Sequence, residues 1–249
     1  MALPLARPAT PDGLFLWVMH RFAEVFEDHA IIKGGIALRL LDCPRSTTDI
    51  DYVFVPYRSK KGIMRQVESV LSEIEGANVT STLHSKMLRV TIELDSAAIQ
   101  VELNVDMECP AIAVPTGELA IDQGQPSRIV RVMALDRALA AKLAAWNERR
   151  LLRDLYDCYF LAGRLAEMPD MDALDARLGK IESRLPRLKK RKSMSRAEFG
   201  EELRDAAEAL TEPALREELG GILPPDELVG LVPRIRSAVI KIAELVERS

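Results

Sequence analysis

The chain has 249 residues, 48% of them hydrophobic, enough for one large domain or two modest ones with cores of their own. Its formal charge of −4 excludes a protein that coats nucleic acid by bulk electrostatics, while leaving room for a local basic patch. Cys43, Cys109 and Cys158 stand far apart in no pair spacing, which points to reduced thiols in a cytoplasmic protein and away from a disulfide frame or a zinc site.

The opening ARPATPD is Pro-rich and reads as loose. From Leu14 to Phe26 the apolar residues Leu14, Phe15, Val18, Phe22, Val25 and Phe26 recur at helical spacing. The most apolar part of that run, LFLWVM (14–19), is too short to span a membrane. His20 and Arg21 follow it without a small-residue cleavage site, so no secretory signal is expected. AIIKGG reads as a short strand stopped by two glycines, IALRLLD as a helix begun after them, and TTDIDYVFV as a strand ending at Pro56. KGIMRQVESVLSEIEG is an amphipathic helix with Gly76 past its end. KMLRVTIEL and IQVELNV are two strands joined by DSAA in a hairpin. Past PTGELAIDQGQPSR no strand is expected. LDRALAAKLAAW and RRLLRDLYDCYFLAGRL are helical, with weaker helical stretches at 171–185, 197–210 and 226–247. RLKKRK (187–192) is a concentrated basic segment, read as a solvated helix end or loop with an RNA-backbone contact as the alternative.

The chemistry centres on residues 33 to 51, KGGIALRLLDCPRSTTDID. Alternation puts Asp49 and Asp51 on one face of a strand, with Cα atoms about 6.5–7 Å apart. Ile50 turns into the core, and Val53 and Val55 are assigned to the core with it. Two carboxylates on one face repel unless a cation sits between them, and hard oxygen donors suit magnesium; the plain alternative is two exposed acids on an edge strand. Gly34 and Gly35 end a strand and open a helix, where free N–H groups attract anions and the missing side chains allow close approach of a phosphate, or simply make a tight turn. A third acid is expected from a neighbouring strand. In IQVELNVD the apolar Ile99, Val101, Leu103 and Val105 share one face, which leaves Glu102 as first choice and Asp106 as reserve. Glu93 and Asp95 are weaker candidates, explained by a solvated face.

K-G-G-x-A-L followed by R-x-T-x-D-I-D resembles the AbiEii/AbiGii abortive-infection toxin family of nucleotidyltransferases, within the DNA polymerase β-like superfamily. AAKLAAWNERRLLRDLYDCYFL is similar to that family's helical signature, at Lys142, Arg149, Arg153, Asp154 and Asp157. The two motifs cover about residues 31–55 and 135–162. At 102 a Glu stands where relatives often have Asp, and Ile36 stands where they often have Thr, so the backbone must do the work of that hydroxyl.

Lys142, Arg149 and Arg153, spaced by 7 and 4, fall near one stripe if their helix is continuous, and such a stripe would meet a triphosphate from the side opposite the metals. The plain alternatives are an i,i+4 salt bridge between Arg153 and Asp157, and an Asp154 that only orients an arginine. Leu139, Leu143, Leu155 and Tyr159 are core, and Trp146 is an interdomain packer in preference to a base-stacking surface. His20, His29 and His84 are isolated and carry no metal or nucleophile spacing.

The first 110 or so residues alternate helix and strand, which suggests a compact α/β or α+β layer, and the change of character near Pro115 puts a domain boundary between about Cys109 and Val132. With the resemblance this becomes an α+β fold, a nucleotidyltransferase-type mixed sheet flanked by helices and followed by an all-helical C-terminal half, with domains at 1–120 and 121–249. The resemblance implies an enzyme that moves an NMP from an NTP to an acceptor hydroxyl with release of pyrophosphate. Asp49, Asp51 and Glu102 would hold two Mg2+ ions, with Mn2+ as the alternative ion, and Lys142 would join them as a catalytic residue. Lys33, Gly34, Gly35, Arg45, Thr48, Arg149, Arg153, Asp154 and Asp157 would bind the nucleotide, with ATP among the expected NTPs. It further implies a cytoplasmic toxin with a cognate antitoxin and tRNA as the leading acceptor. A small-molecule nucleotidyltransferase of the antibiotic-modifying sort and a non-catalytic binding module that keeps the fold remain as alternatives.

Overall fold

The structure is a computed structural model that describes residues 6–85, 87–183, 185–186 and 188–248. Arg184, within the weak helical stretch, and Arg187, the first of the basic run, lie outside the described residues, as does Lys86. The chain divides into two compact units, Met1–Ala134 and Leu135–Ser249, so the division falls later than the expected 120/121.

Helix α1 (Pro11–Phe26) begins inside the stretch read as loose: the Thr10 hydroxyl accepts the Gly13 N–H at 2.9 Å, and Pro11 sits at the first helical position, where its missing N–H costs nothing. Then follow β1 (Ala30–Lys33), α2 (Gly34–Arg39), β2 (Asp49–Phe54), α3 (Lys61–Leu71), β3 (Asn78–Leu83), β4 (Leu88–Leu94), β5 (Ala97–Val105), β6 (Ala111–Pro115), α4 (Gly117–Asp122) and β7 (Ile129–Met133). The strands form one seven-stranded mixed sheet in the order β3-β4-β5-β2-β1-β7-β6. β2–β5 and β1–β7 pair in parallel; the other neighbours are antiparallel. Three strands were not expected. β3 and β6 are edge strands of mostly exposed residues, and β7 pairs with both β6 and β1, carrying the first unit's sheet beyond residue 120.

The core sits on one face of the sheet. Phe22 and Phe26 of α1 pack against Tyr52 and Phe54 of β2, with ring centroids 4.9–5.7 Å apart. Burying each such side chain is worth about 2–3 kcal/mol, and that fixes which way β2 faces. Ile50, Tyr52 and Phe54 are therefore the core residues of this strand. Val53 shares the aspartates' parity, not Ile50's. It is buried outside that cluster, and Val55 lies beyond the strand, half-buried. β5 behaves as expected, with Ile99, Val101 and Leu103 in the core.

The second unit is helical among its described residues: α5 (Leu135–Arg149), α6 (Leu152–Tyr159) continued by a π-helical turn at Phe160–Arg164, α7 (Met171–Leu178), α8 (Arg196–Ala209), α9 (Glu212–Leu219) and α10 (Leu231–Arg248). Leu139, Leu143, Leu155 and Tyr159 are buried as expected. Trp146 is buried, with its ring 6.0 Å from the Phe199 ring and under the Arg150 guanidinium at 4.3 Å, both partners belonging to this unit. Leu188 of the basic run is buried, and Arg191 pairs with Glu198 at 2.6 Å. Cys43 in the first unit and Cys158 in the second are buried thiols, whereas Cys109 is half-buried. No described helix is long and apolar enough to cross a membrane.

Candidate active site

The glycine pair and the D-x-D segment are brought together by the antiparallel pairing of β1 with β2, which sets Lys33 opposite Asp51. Both glycines lie in the first turn of α2, which starts two positions earlier than the expected helix. Gly34 has φ +75°, a conformation that favours glycine, and a Cβ there would collide with the Asp51 carboxylate. Beside Gly35 a Cβ would stand 2.8 Å from both Arg45 Nη2 and Thr47 Oγ1. The room left by the two missing side chains is thus lined by Asp51, Arg45 and Thr47. Gly34→Ala is expected to cost about 2 kcal/mol through strain and the displaced carboxylate, lowering Tm by roughly 4–8 °C. Gly35→Ala should cost less, because its backbone is unstrained and the atoms nearest its Cβ belong to side chains. Paired thermal melts check the order.

Arg45 is buried, its Nη1 donating to the Ser46 carbonyl at 3.1 Å. Thr47, not the expected Thr48, is the threonine that reaches the glycines, and it is the T of R-x-T-x-D-I-D. Its hydroxyl donates to the Asp49 carbonyl at 3.2 Å, shaping the entry to β2. Thr48 is exposed and donates to Asp49 Oδ1 at 3.2 Å.

Strand register then brings in the third acid. In the parallel β2–β5 pair, Asp51 lies directly opposite Glu102 and Asp49 opposite Gln100. Asp106 lies past the end of β5, exposed, its Oδ1 accepting the Met107 N–H at 2.7 Å. Parity left Glu102 and Asp106 equivalent; register puts Glu102 beside Asp51. Glu93 lies opposite Ala98 and bonds Asn78 at 3.0 Å, and Asp95 pairs with Arg7 at 3.0 Å, so both belong elsewhere. Glu102 Oε1 accepts from Arg89 Nη2 at 2.7 Å and Nε at 3.0 Å, while Lys33 Nζ stands 3.6 Å from Asp51 Oδ1. Three hard carboxylate donors on one face of neighbouring strands fit a divalent cation in kind and in strand position. No three metal-ligating side chains among the described residues form a ready-made cluster. Asp51 and Glu102 face the chain's own cations.

In the second unit the expected continuous stripe does not form. Arg150, at φ +58°, ends α5, and α6 starts two residues later, so the two helices make a hairpin. Two ion pairs cross it. Lys142 Nζ lies 2.5 Å from Asp157 Oδ2, and Arg149 grips Asp154 through Nη2 at 2.7 Å and Nε at 3.2 Å. Asp154 and Asp157 side chains are each 1% exposed, and Lys142 is 16% exposed. Burial raises the Asp154 pKa from its ordinary value, a shift that the Arg149 guanidinium opposes. Arg153 stands apart: it is exposed, and its backbone N–H donates to Glu218 at 3.0 Å. The signature thus gathers Lys142, Arg149, Asp154 and Asp157 into two neighbouring pairs and leaves the Arg153 side chain outside them.

The family described as "Nucleotidyl transferase AbiEii toxin, Type IV TA system" matches residues 17–237. Among solved structures, MenT4, a nucleotidyltransferase toxin from Mycobacterium tuberculosis H37Rv, is similar with a TM-score of 0.64 at 17% identity, covering 94% of this chain and 82% of that one. JHP933 from Helicobacter pylori is similar with a TM-score of 0.55 at 16% identity, covering 94% and 91%. A putative nucleotidyltransferase from H. pylori gives 0.54 at 16% identity, covering 96% and 95%. At such identities these likenesses show the fold. No curated protein sequence matches the chain.

Proposed function

The chain belongs to the AbiEii nucleotidyltransferase toxin family, and from that premise we propose that it catalyses in-line attack of an acceptor hydroxyl on the α-phosphorus of an NTP. The P–O bond to pyrophosphate breaks as the new phosphodiester bond forms, and the hydroxyl proton is lost to solvent. The observation that carries the reading is the register that sets Glu102 beside Asp51, with Asp49 on the same face of the same strand. These three residues would hold Mg2+ or Mn2+. Bound there, the ions would lower the pKa of the acceptor hydroxyl and neutralise charge on the departing pyrophosphate.

The chain's own residues set up that arrangement. Gly34 leaves room for the Asp51 carboxylate, and Thr47 shapes the strand entry that places Asp49. Lys33, half-buried beside Asp51, is the cation of β1 available to the triphosphate. The tight Lys142–Asp157 and Arg149–Asp154 pairs keep the helical signature rigid. As a member of a toxin family the protein would act against its own host until an antitoxin restrains it, with tRNA as the acceptor that the family resemblance favours. Incubation with magnesium, each labelled NTP and total RNA tests the reading. Label in RNA, lost with EDTA, supports it; label confined to small molecules would instead support the antibiotic-modifying type of acceptor. No transfer of any NTP to any acceptor would overturn it.

Glu102→Gln is expected to lower turnover about 10²-fold while changing NTP affinity far less, since Asp49 and Asp51 remain. Single-turnover rates beside equilibrium nucleotide binding separate the two. A loss in Asp106→Asn with none in Glu102→Gln would move the third acid four residues along.

A further inference from the structure

Four consecutive strands carry one charged residue each at the same level of the sheet. Lys33 on β1 lies opposite Asp51 on β2, Asp51 opposite Glu102 on β5, and Glu102 opposite Arg89 on β4. The row therefore reads cation, anion, anion, cation. Neighbouring strands are about 4.8 Å apart, so the two central carboxylates would repel if left alone. Each is instead compensated from its outer side. The compensation is unequal: Lys33 stands 3.6 Å from Asp51, whereas Arg89 places two N–H groups on one Glu102 oxygen at 2.7 and 3.0 Å.

We propose that Arg89 is a positioning residue that holds Glu102 as an internal counter-ion and competes with the divalent cation for it. This rests on the reading that Asp49, Asp51 and Glu102 take the metal. With Arg89 in place the four-residue row is neutral; without it the row carries −1, and the same two acids attract an external cation more strongly. Glu102 Oε1 also loses two charge-assisted donors that a metal would otherwise have to displace. The Arg89 side chain is 40% exposed and Glu102 17%, so solvent screens the pair. The functional sense is a restraint on idle metal loading. Glu102 becomes available when Arg89 is drawn to another anion, so full occupancy follows arrival of an anionic substrate.

The test is titration of Mn2+ into the nucleotide-free full-length protein, with free ion read by electron paramagnetic resonance. Arg89→Gln is expected to bind Mn2+ roughly two- to fivefold more tightly than wild type, the range that a partly screened ion pair can supply. Arg89→Thr, a neutral residue suited to a strand, should show the same gain and serves if the Gln variant is unstable. Arg89→Lys should stay close to wild type. Adding Glu102→Gln to Arg89→Gln should remove the gain, which a merely structural role for Arg89 would not do. Affinity in both neutral variants equal to or weaker than wild type overturns the proposal. If Asp51→Asn loses Mn2+ while the neutral Arg89 variants match wild type, the metal reading stands and this inference alone falls. If no variant and no wild-type protein binds Mn2+, both fall together.

Discussion

Asp51→Asn should abolish nucleotidyl transfer, by about 10³-fold or more, roughly 4 kcal/mol of lost transition-state stabilisation, with Asp49→Asn close behind. Both changes keep volume and remove charge. Asp51 is expected to be the more severe because it is the central member of the row, facing Lys33 on one side and Glu102 on the other. The fold should survive, because Ile50, Tyr52 and Phe54, on the opposite face of β2, supply its burial. Removing Asp51's charge also frees Lys33 from its ion pair, a contact that is partly exposed and worth little. Transfer rates at saturating magnesium beside a thermal melt check both halves. Near-normal transfer by either variant would remove the D-x-D from the chemistry.

Lys142→Ala should destabilise the protein by about 3–5 kcal/mol, the usual cost of taking one partner from a buried ion pair, and lower Tm by roughly 10 °C. The sequence alone left open that this ammonium points to solvent and that its loss is harmless. Its position 2.5 Å from Asp157, a side chain 1% exposed, overturns that alternative. The pair also clips α5 to α6 across the break at Arg150, so its loss loosens the hairpin. Asp157→Asn should be far milder in the Lys142→Ala background than alone, a coupling that a double-mutant cycle measures. Transfer kinetics at a temperature where both proteins are folded then isolate direct use of the ammonium on the nucleotide. A raised KM for NTP in Lys142→Ala, partly rescued by Lys142→Arg, is the expected result. A stability loss with wild-type kinetics would leave the signature a packing device.

Elements with a strong local period were legible. The helical spacing of Leu14 to Phe26 and the alternation in IQVELNV hold in the structure, and so does the placing of Asp49, Asp51 and Glu102 on one side of their strands. What failed depends on partners distant in the chain. β7 is five residues long and gains its meaning from parallel pairing with β1, about a hundred residues earlier, so the unit boundary was set too early. Val53 is buried as expected, but on the aspartates' face of β2 and outside the cluster that holds Tyr52 and Phe54. Position along IQVELNVD ranked Glu102 ahead of Asp106, but that Glu102 lies directly opposite Asp51 is a matter of register, and register is a property of two strands together. Lys142 and Asp157 are fifteen residues apart and meet because a single residue in positive φ turns the chain back.

The two buried thiols make the chain its own reporter. Cys43 belongs to the first unit and Cys158 to the second. Burial raises the Cys158 pKa well above the ordinary thiol range, reinforced by the neighbouring Asp154 and Asp157 charges. A thiol that is both covered and protonated reacts with an alkylating reagent only when its surroundings open. Half-buried Cys109 should label early and mark time zero. Mass spectrometry of the two slower modifications would then give a separate opening rate for each unit without any engineered probe, and would reveal which half of the molecule a bound nucleotide quiets.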